Sequence, residues 1–145
     1  MKRFVLNMML LVLILVVMGF QFLPKMMHEV CGIILLLGII YHLVLNYRWF
    51  TSFFRGNWNK LRILQTIISM LLIISFFTAT VTGIIFSNQF FRELWIGVPL
   101  HRSVFIHQLH ISSAYFMVIT GGMHIGQHWS GFWQQFKKLP VLGNI

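Results

Sequence analysis

Histidine is the residue type in this chain best suited to chemistry, and its spacing is regular. Seven histidines occur, at positions 28, 42, 101, 107, 110, 124 and 128. His28 and His42 are 14 residues apart, as are His110 and His124, and the two pairs are offset by a constant 82. In a helix, 14 residues make about 3.9 turns and rise about 21 Å. Each pair therefore shares one helix face, with its members near opposite surfaces of a bilayer. If the two helices run the same way, His28 faces His110 at one depth and His42 faces His124 at another. Neutral imidazole is a metal ligand, and two imidazoles facing across a gap suit a flat metal macrocycle. A b-type haem needs only such axial nitrogens and an apolar slot. Iron with both axial positions filled has no open site, which leaves one-electron transfer as its chemistry. The expected cofactors are two non-covalent b-type haems, the outer iron on His28 and His110, the inner on His42 and His124.

The remaining histidines fit less well. His110 to His128 spans 18 residues, or about 5.0 turns, which keeps the face but overshoots the depth. His107 and His128 are read as neighbours of the ligands or as interfacial groups, and His101 as exposed. Arg48, Arg92 and Arg102 have the planar fork that pairs with carboxylates such as haem propionates; topology and headgroup contact are the plainer reading. Gly19, Gly32, Gly38, Gly83, Gly121 and Gly122 would admit a ring close to the backbone, or simply pack helices. His124 and His128, four apart, would equally suit Zn²⁺, which leaves His28 and His42 unexplained. Histidines that merely sit at the membrane interface are a further alternative. No catalytic residue is expected, because no carboxylate pair, Ser-His-Asp set or phosphate loop occurs. The lone Cys31 excludes an intrachain disulfide and the C-x-x-C-H attachment of a c-type haem.

The elements that must position these residues are apolar. Of the 145 residues, 58% are hydrophobic and 9% charged. A soluble domain averages roughly 45–50% and about 25%, so this chain cannot coat a water-soluble globule. Four stretches (4–23, 28–46, 61–86 and 103–125) are long enough to cross about 30 Å of hydrocarbon. The first ends without a small-residue cleavage site and is expected to be retained as a helix. Pro24 breaks it, a basic aromatic loop joins spans two and three, and Gly97-Val98-Pro99 marks a turn before span four. The tail from Trp129 is expected to begin as an amphipathic interfacial helix. The expectation is an all-α, integral membrane four-helix bundle in one domain, two helix hairpins forming a parallel internal repeat.

Positive charge gives the direction. Net charge is +9, with Glu29 and Glu93 the only acids. Eight basic residues (Lys2, Arg3, Arg48, Arg55, Lys60, Arg62, Lys137 and Lys138) fall on one side, and three (Lys25, Arg92 and Arg102) on the other. Cytoplasmic loops carry the excess, so both termini are expected in the cytoplasm. Trp49, Trp58, Trp129 and Trp133 would form an inner aromatic belt and Trp95 an outer one. The basic balance serves membrane topology, and no nucleic-acid partner is expected.

The run His28-Glu-Val-Cys-Gly32 to Tyr41-His42-Leu-Val-Leu-Asn46-Tyr-Arg-Trp49, with Leu109-His110-Ile-Ser-Ser and Met123-His124-Ile-Gly-Gln-His128-Trp129, resembles a known group. These are the small four-helix di-haem cytochromes associated with flavinylated extracytoplasmic proteins, long filed as a domain of unknown function. The spacing is also similar to that of the haem helices of the b cytochrome in bc-type quinol oxidoreductases. The resemblance implies a bacterial inner-membrane protein, His28, His42, His110 and His124 as ligands, and electrons passed outward to a flavin-bearing partner. A quinone is a further expected partner, beside membrane lipid. The competing expectation is a non-redox transporter or assembly subunit, for which a polar path is missing.

Overall fold

The computed structural model describes residues 2–53, 55, 58–87 and 103–137. Among them are six α-helices, one 3₁₀ turn and no strand. Helix α1 spans Lys2–Met18, and the 3₁₀ turn Phe20–Phe22 follows it. Helix α2 spans Lys25–Leu45, α3 Tyr47–Phe53, α4 Lys60–Phe86, α5 Val104–Gln127 and α6 Trp129–Lys137.

The helix ends follow from local chemistry. Pro24 stands as N-cap of α2, with φ −55° and ψ 143°, where its missing N–H costs nothing. Helix α1 stops earlier than proline requires. Its last turn closes on Gly19, whose N–H reaches the carbonyls of Leu15 and Val16. At the other end of α2, the Asn46 side-chain amide donates to the His42 carbonyl at 2.7 Å. Asn59 caps α4 by accepting from the Arg62 N–H at 2.8 Å, a preferred residue in its preferred place. Inside the helices, Ser69, Thr78, Thr80, Ser113 and Thr120 each donate to the carbonyl four residues back. Hydroxyls are thus satisfied without water.

The loop expected between spans two and three contains α3. Arg62 staples it, donating through Nη2 to the carbonyls of Ser52 and Arg55 and lying 4.9 Å over the Trp58 ring. A cation at a helix C-terminus answers the partial negative charge there.

Close backbone approach is concentrated within two antiparallel pairs, α1 with α2 and α4 with α5. Between the pairs the backbones meet only at isolated points. The pairs are joined by side chains: Leu6 and Leu10 of α1, Leu35 of α2, Phe76 of α4 and Met117 of α5 form one buried cluster. Helix α6 folds back on α1, with Phe132 5.5 Å from Phe4, ring centre to ring centre. Arg3 donates to the Leu45 carbonyl at 3.3 Å. Arg3, Arg48, Arg55, Lys60, Arg62 and Lys137 therefore gather at one end of the molecule.

Two of the four expected spans, α2 and α4, are long and apolar enough to cross a membrane. In their most apolar windows only 11% and 33% of residues are buried, unlike the core helix of a soluble protein. At 17 residues, α1 is about 25 Å long. Helix α5, with 24 residues, is long enough but carries histidines, hydroxyls and glycines. All four expose large apolar side chains, among them Leu15, Leu37, Ile74 and Ile119, each more than 60% accessible.

Candidate functional site

The antiparallel pairs set α2 and α5 side by side and parallel, so their histidines meet at two levels. At one level, the His28 and His110 ring centres are 6.3 Å apart with planes at 84°. At the other, His124 lies within electrostatic reach of His42 and, more closely, of His128, whose ring centre is 5.0 Å away. All four are half-buried.

The orientation of each ring follows from what its Nδ1 touches. The His110 Nδ1 is 2.8 Å from the Ala79 carbonyl oxygen. A carbonyl only accepts, so Nδ1 carries the hydrogen and Nε2 the free lone pair. Thr82 Oγ1 lies 3.4 Å from the same nitrogen, while its own hydrogen goes to the Thr78 carbonyl at 2.6 Å. The His42 Nδ1 is 3.1 Å from Asn7 Oδ1, again an acceptor. The His124 Nδ1 is 3.2 Å from Ser69 Oγ, whose hydrogen is committed to the Gln65 carbonyl at 2.9 Å. Three of the four imidazoles are thus held as the tautomer with Nε2 available. That is how a metal-binding histidine is usually fixed by its outer partners. The fourth, His28, has a buried Nδ1 with no partner; the Phe20 ring stands edge-on to it at 6.2 Å.

The His28 and His110 pair fits a bis-imidazole metal centre. A metal–imidazole bond of about 2.0–2.1 Å, plus about 1.1 Å from nitrogen to ring centre, puts two coaxial rings roughly 6.3 Å apart. The outer pair has that spacing. Gly83 makes room: a Cβ there would lie 2.9 Å from His110 Cε1. Of the glycines expected to admit a ring, Gly83 admits the imidazole of His110. Gly38 instead faces Leu10 at 2.8 Å. Among the described residues no three or more His, Cys, Asp or Glu side chains gather, so no conventional zinc site is assembled. A haem takes only two protein ligands.

Of the other predicted residues, His107 and His128 sit beside His110 and His124. His107 stacks on Phe86 at 4.6 Å. His128 is exposed, with its ring 5.0 Å from that of His124. Arg48 is exposed in α3. His101, Arg92, Arg102, Glu93, Trp95, Lys138 and the 97–99 turn lie outside the described residues. Beside the outer site, Ser87 donates to Glu29 at 2.7 Å.

Between the two levels lies the buried cluster. Leu35 is seven residues from His28 and from His42, and Met117 seven from His110 and from His124. Phe76 is seven from Ser69 and from Gly83. They are 3%, 4% and 4% accessible. Histidine level, apolar layer and histidine level thus succeed one another in steps of about 10 Å.

Asn7, Ser69, Ala79 and Thr82 were not legible as site residues in the sequence. Of these only Ser69 carries a sequence signal, since it precedes Gly83 by the same 14 residues that separate the histidines. Compared with known proteins, the chain matches no family model, no curated protein and no solved structure.

Proposed function

We propose that this chain is a di-haem b-type cytochrome that carries electrons across a bacterial inner membrane. In this reading the two antiparallel pairs are a four-helix membrane bundle with an internal repeat. His28 and His110 hold the outer haem, and His42 and His124 the inner. The observation that carries the reading is the tautomer set: three imidazoles, on two helices and at two levels, each with Nδ1 held by an acceptor and Nε2 free. Interfacial histidines would have no reason to share it. Bound there, the haems would supply one-electron transfer chemistry.

The chain's own residues do the rest. Asn7, Ser69 and the Ala79 carbonyl orient the imidazoles and raise their basicity as ligands. Leu35, Phe76 and Met117 exclude water from the middle of the membrane and keep the two sites separate. The basic end faces the cytoplasm, as the excess of positive charge implies, with both termini there. The resemblance to the flavinylation-associated cytochromes supplies the direction: from a quinol or cytoplasmic-side donor to an extracytoplasmic, flavin-bearing acceptor.

The test is axial coordination. The purified protein should show six-coordinate, low-spin haem in both oxidation states and no spectral change with carbon monoxide. A rapid carbon monoxide adduct would mean an open site and overturn electron transfer through bis-histidine iron.

A further inference from the structure

The polar side chains around the inner histidines are nearly all committed within the protein. Asn7 holds His42, Asn46 holds the His42 carbonyl, Ser69 sits between Gln65 and His124, and Arg3 reaches Leu45. Gln127 differs. Its Nε2 and Oε1 are both buried, and neither has a hydrogen-bond partner. Among the described residues the only other such atom is His28 Nδ1, which belongs to the outer site.

A buried amide with nothing to bond is one of the costlier defects a fold can carry. Such a group calls for an explanation, and a ligand is one. Gln127 is three residues beyond His124 on α5. On a helix that is about 60° around from it and about 4.5 Å nearer the basic end. Its amide therefore belongs to the histidine side of α5, on the headgroup side of the inner site. A haem is apolar except along the edge bearing its two carboxylates, and that edge must point out of the hydrocarbon.

We propose that Gln127 is a binding residue of the inner site, its Nε2 donating to a carboxylate of the macrocycle held between His42 and His124. This rests on the di-haem reading. It adds a residue that neither the spacing of the histidines nor their tautomers identifies. The bonded amide would fix the rotation of the ring about the histidine axis, which two axial ligands leave free.

The test uses the full chain in nanodiscs, as Gln127→Leu and Gln127→Glu, each also in a His110→Ala background that leaves the inner haem alone. Three quantities are read: thermal stability without haem, haem release to an excess scavenger protein, and reduction potential. With Gln127→Leu, the haem-free protein should be at least as stable as the parent, because an unsatisfied amide is gone. Inner haem should leave on the order of 10-fold faster, and outer haem at the parental rate. Gln127→Glu, setting carboxylate against carboxylate, should release it faster still. Unchanged release and potential in Gln127→Leu would overturn the proposal, and would show that water satisfies the amide. Loss of stability in the haem-free Leu variant, with release unchanged, would make Gln127 a structural residue only. A parent chain that binds no haem at all would overturn both this proposal and the reading beneath it.

Discussion

The imidazole of His110 is oriented by a backbone group, the carbonyl of Ala79, 2.8 Å from its Nδ1. His42 and His124 depend on side chains, Asn7 and Ser69. The two sites are alike in outline but differ in what a point substitution can reach. Asn7→Leu or Ser69→Ala should weaken retention of the inner haem by roughly 10–100-fold, the usual cost of losing an outer partner. The outer haem should be unaffected. No side-chain truncation at Ala79 can do the same to the outer site. Site-resolved haem release measures this, and equal effects at both sites would contradict it.

The ligands should separate by level. His28→Ala or His110→Ala should remove the outer haem alone, and His42→Ala or His124→Ala the inner alone, since the levels are about 21 Å apart. His107→Ala and His128→Ala should keep both, with shifted potentials. Haem content with a redox titration reads each case. Loss of the outer haem in His107→Ala with retention in His110→Ala would break the repeat.

Two glycines give a matched pair of probes. At Gly83 an added methyl meets the His110 ring at 2.9 Å, and the ring cannot retreat without leaving the Ala79 carbonyl. At Gly38 the methyl meets only the end of the Leu10 side chain at 2.8 Å, which can rotate. Overpacking costs about 1–3 kcal/mol. Gly83→Ala should spend it on ligand geometry and lower outer haem content. Gly38→Ala should keep both haems and lose at most a little stability. Haem content of the two variants decides it.

The basic end should face the cytoplasm. A reporter fused after Ile145 is expected to behave as cytoplasmic, and one inserted at residue 97 as periplasmic. A reversed result would exchange the outer and inner sites while leaving the histidine pairs together.

The histidine pairs were legible in the sequence because their surroundings are so apolar. Where ionisable side chains are costly, four histidines in register stand out, and helix geometry turns 14 residues into a shared face. The tautomers were not legible. Asn7 is one polar residue in an apolar helix, and Ala79 contributes a carbonyl that any residue possesses. Helix α3 is only seven residues long, too short for a periodic pattern to distinguish it from loop. The apolar layer was hidden for the opposite reason: Leu35, Phe76 and Met117 are typical membrane residues, and only their equal spacing from the histidines distinguishes them. The early end of α1 has no comparable sequence signal, because Gly19 closes the helix before the stronger stop at Pro24.

The most direct test of the central claim is a haem count on the purified chain, by reduced-minus-oxidised spectrum and pyridine haemochrome. The account predicts about two b-type haems per chain, all released by acid–acetone, because the only cysteine is Cys31 and covalent attachment needs a C-x-x-C-H pair. A stoichiometry near zero in protein expressed with ample haem, or haem that stays with the polypeptide after extraction, would contradict it.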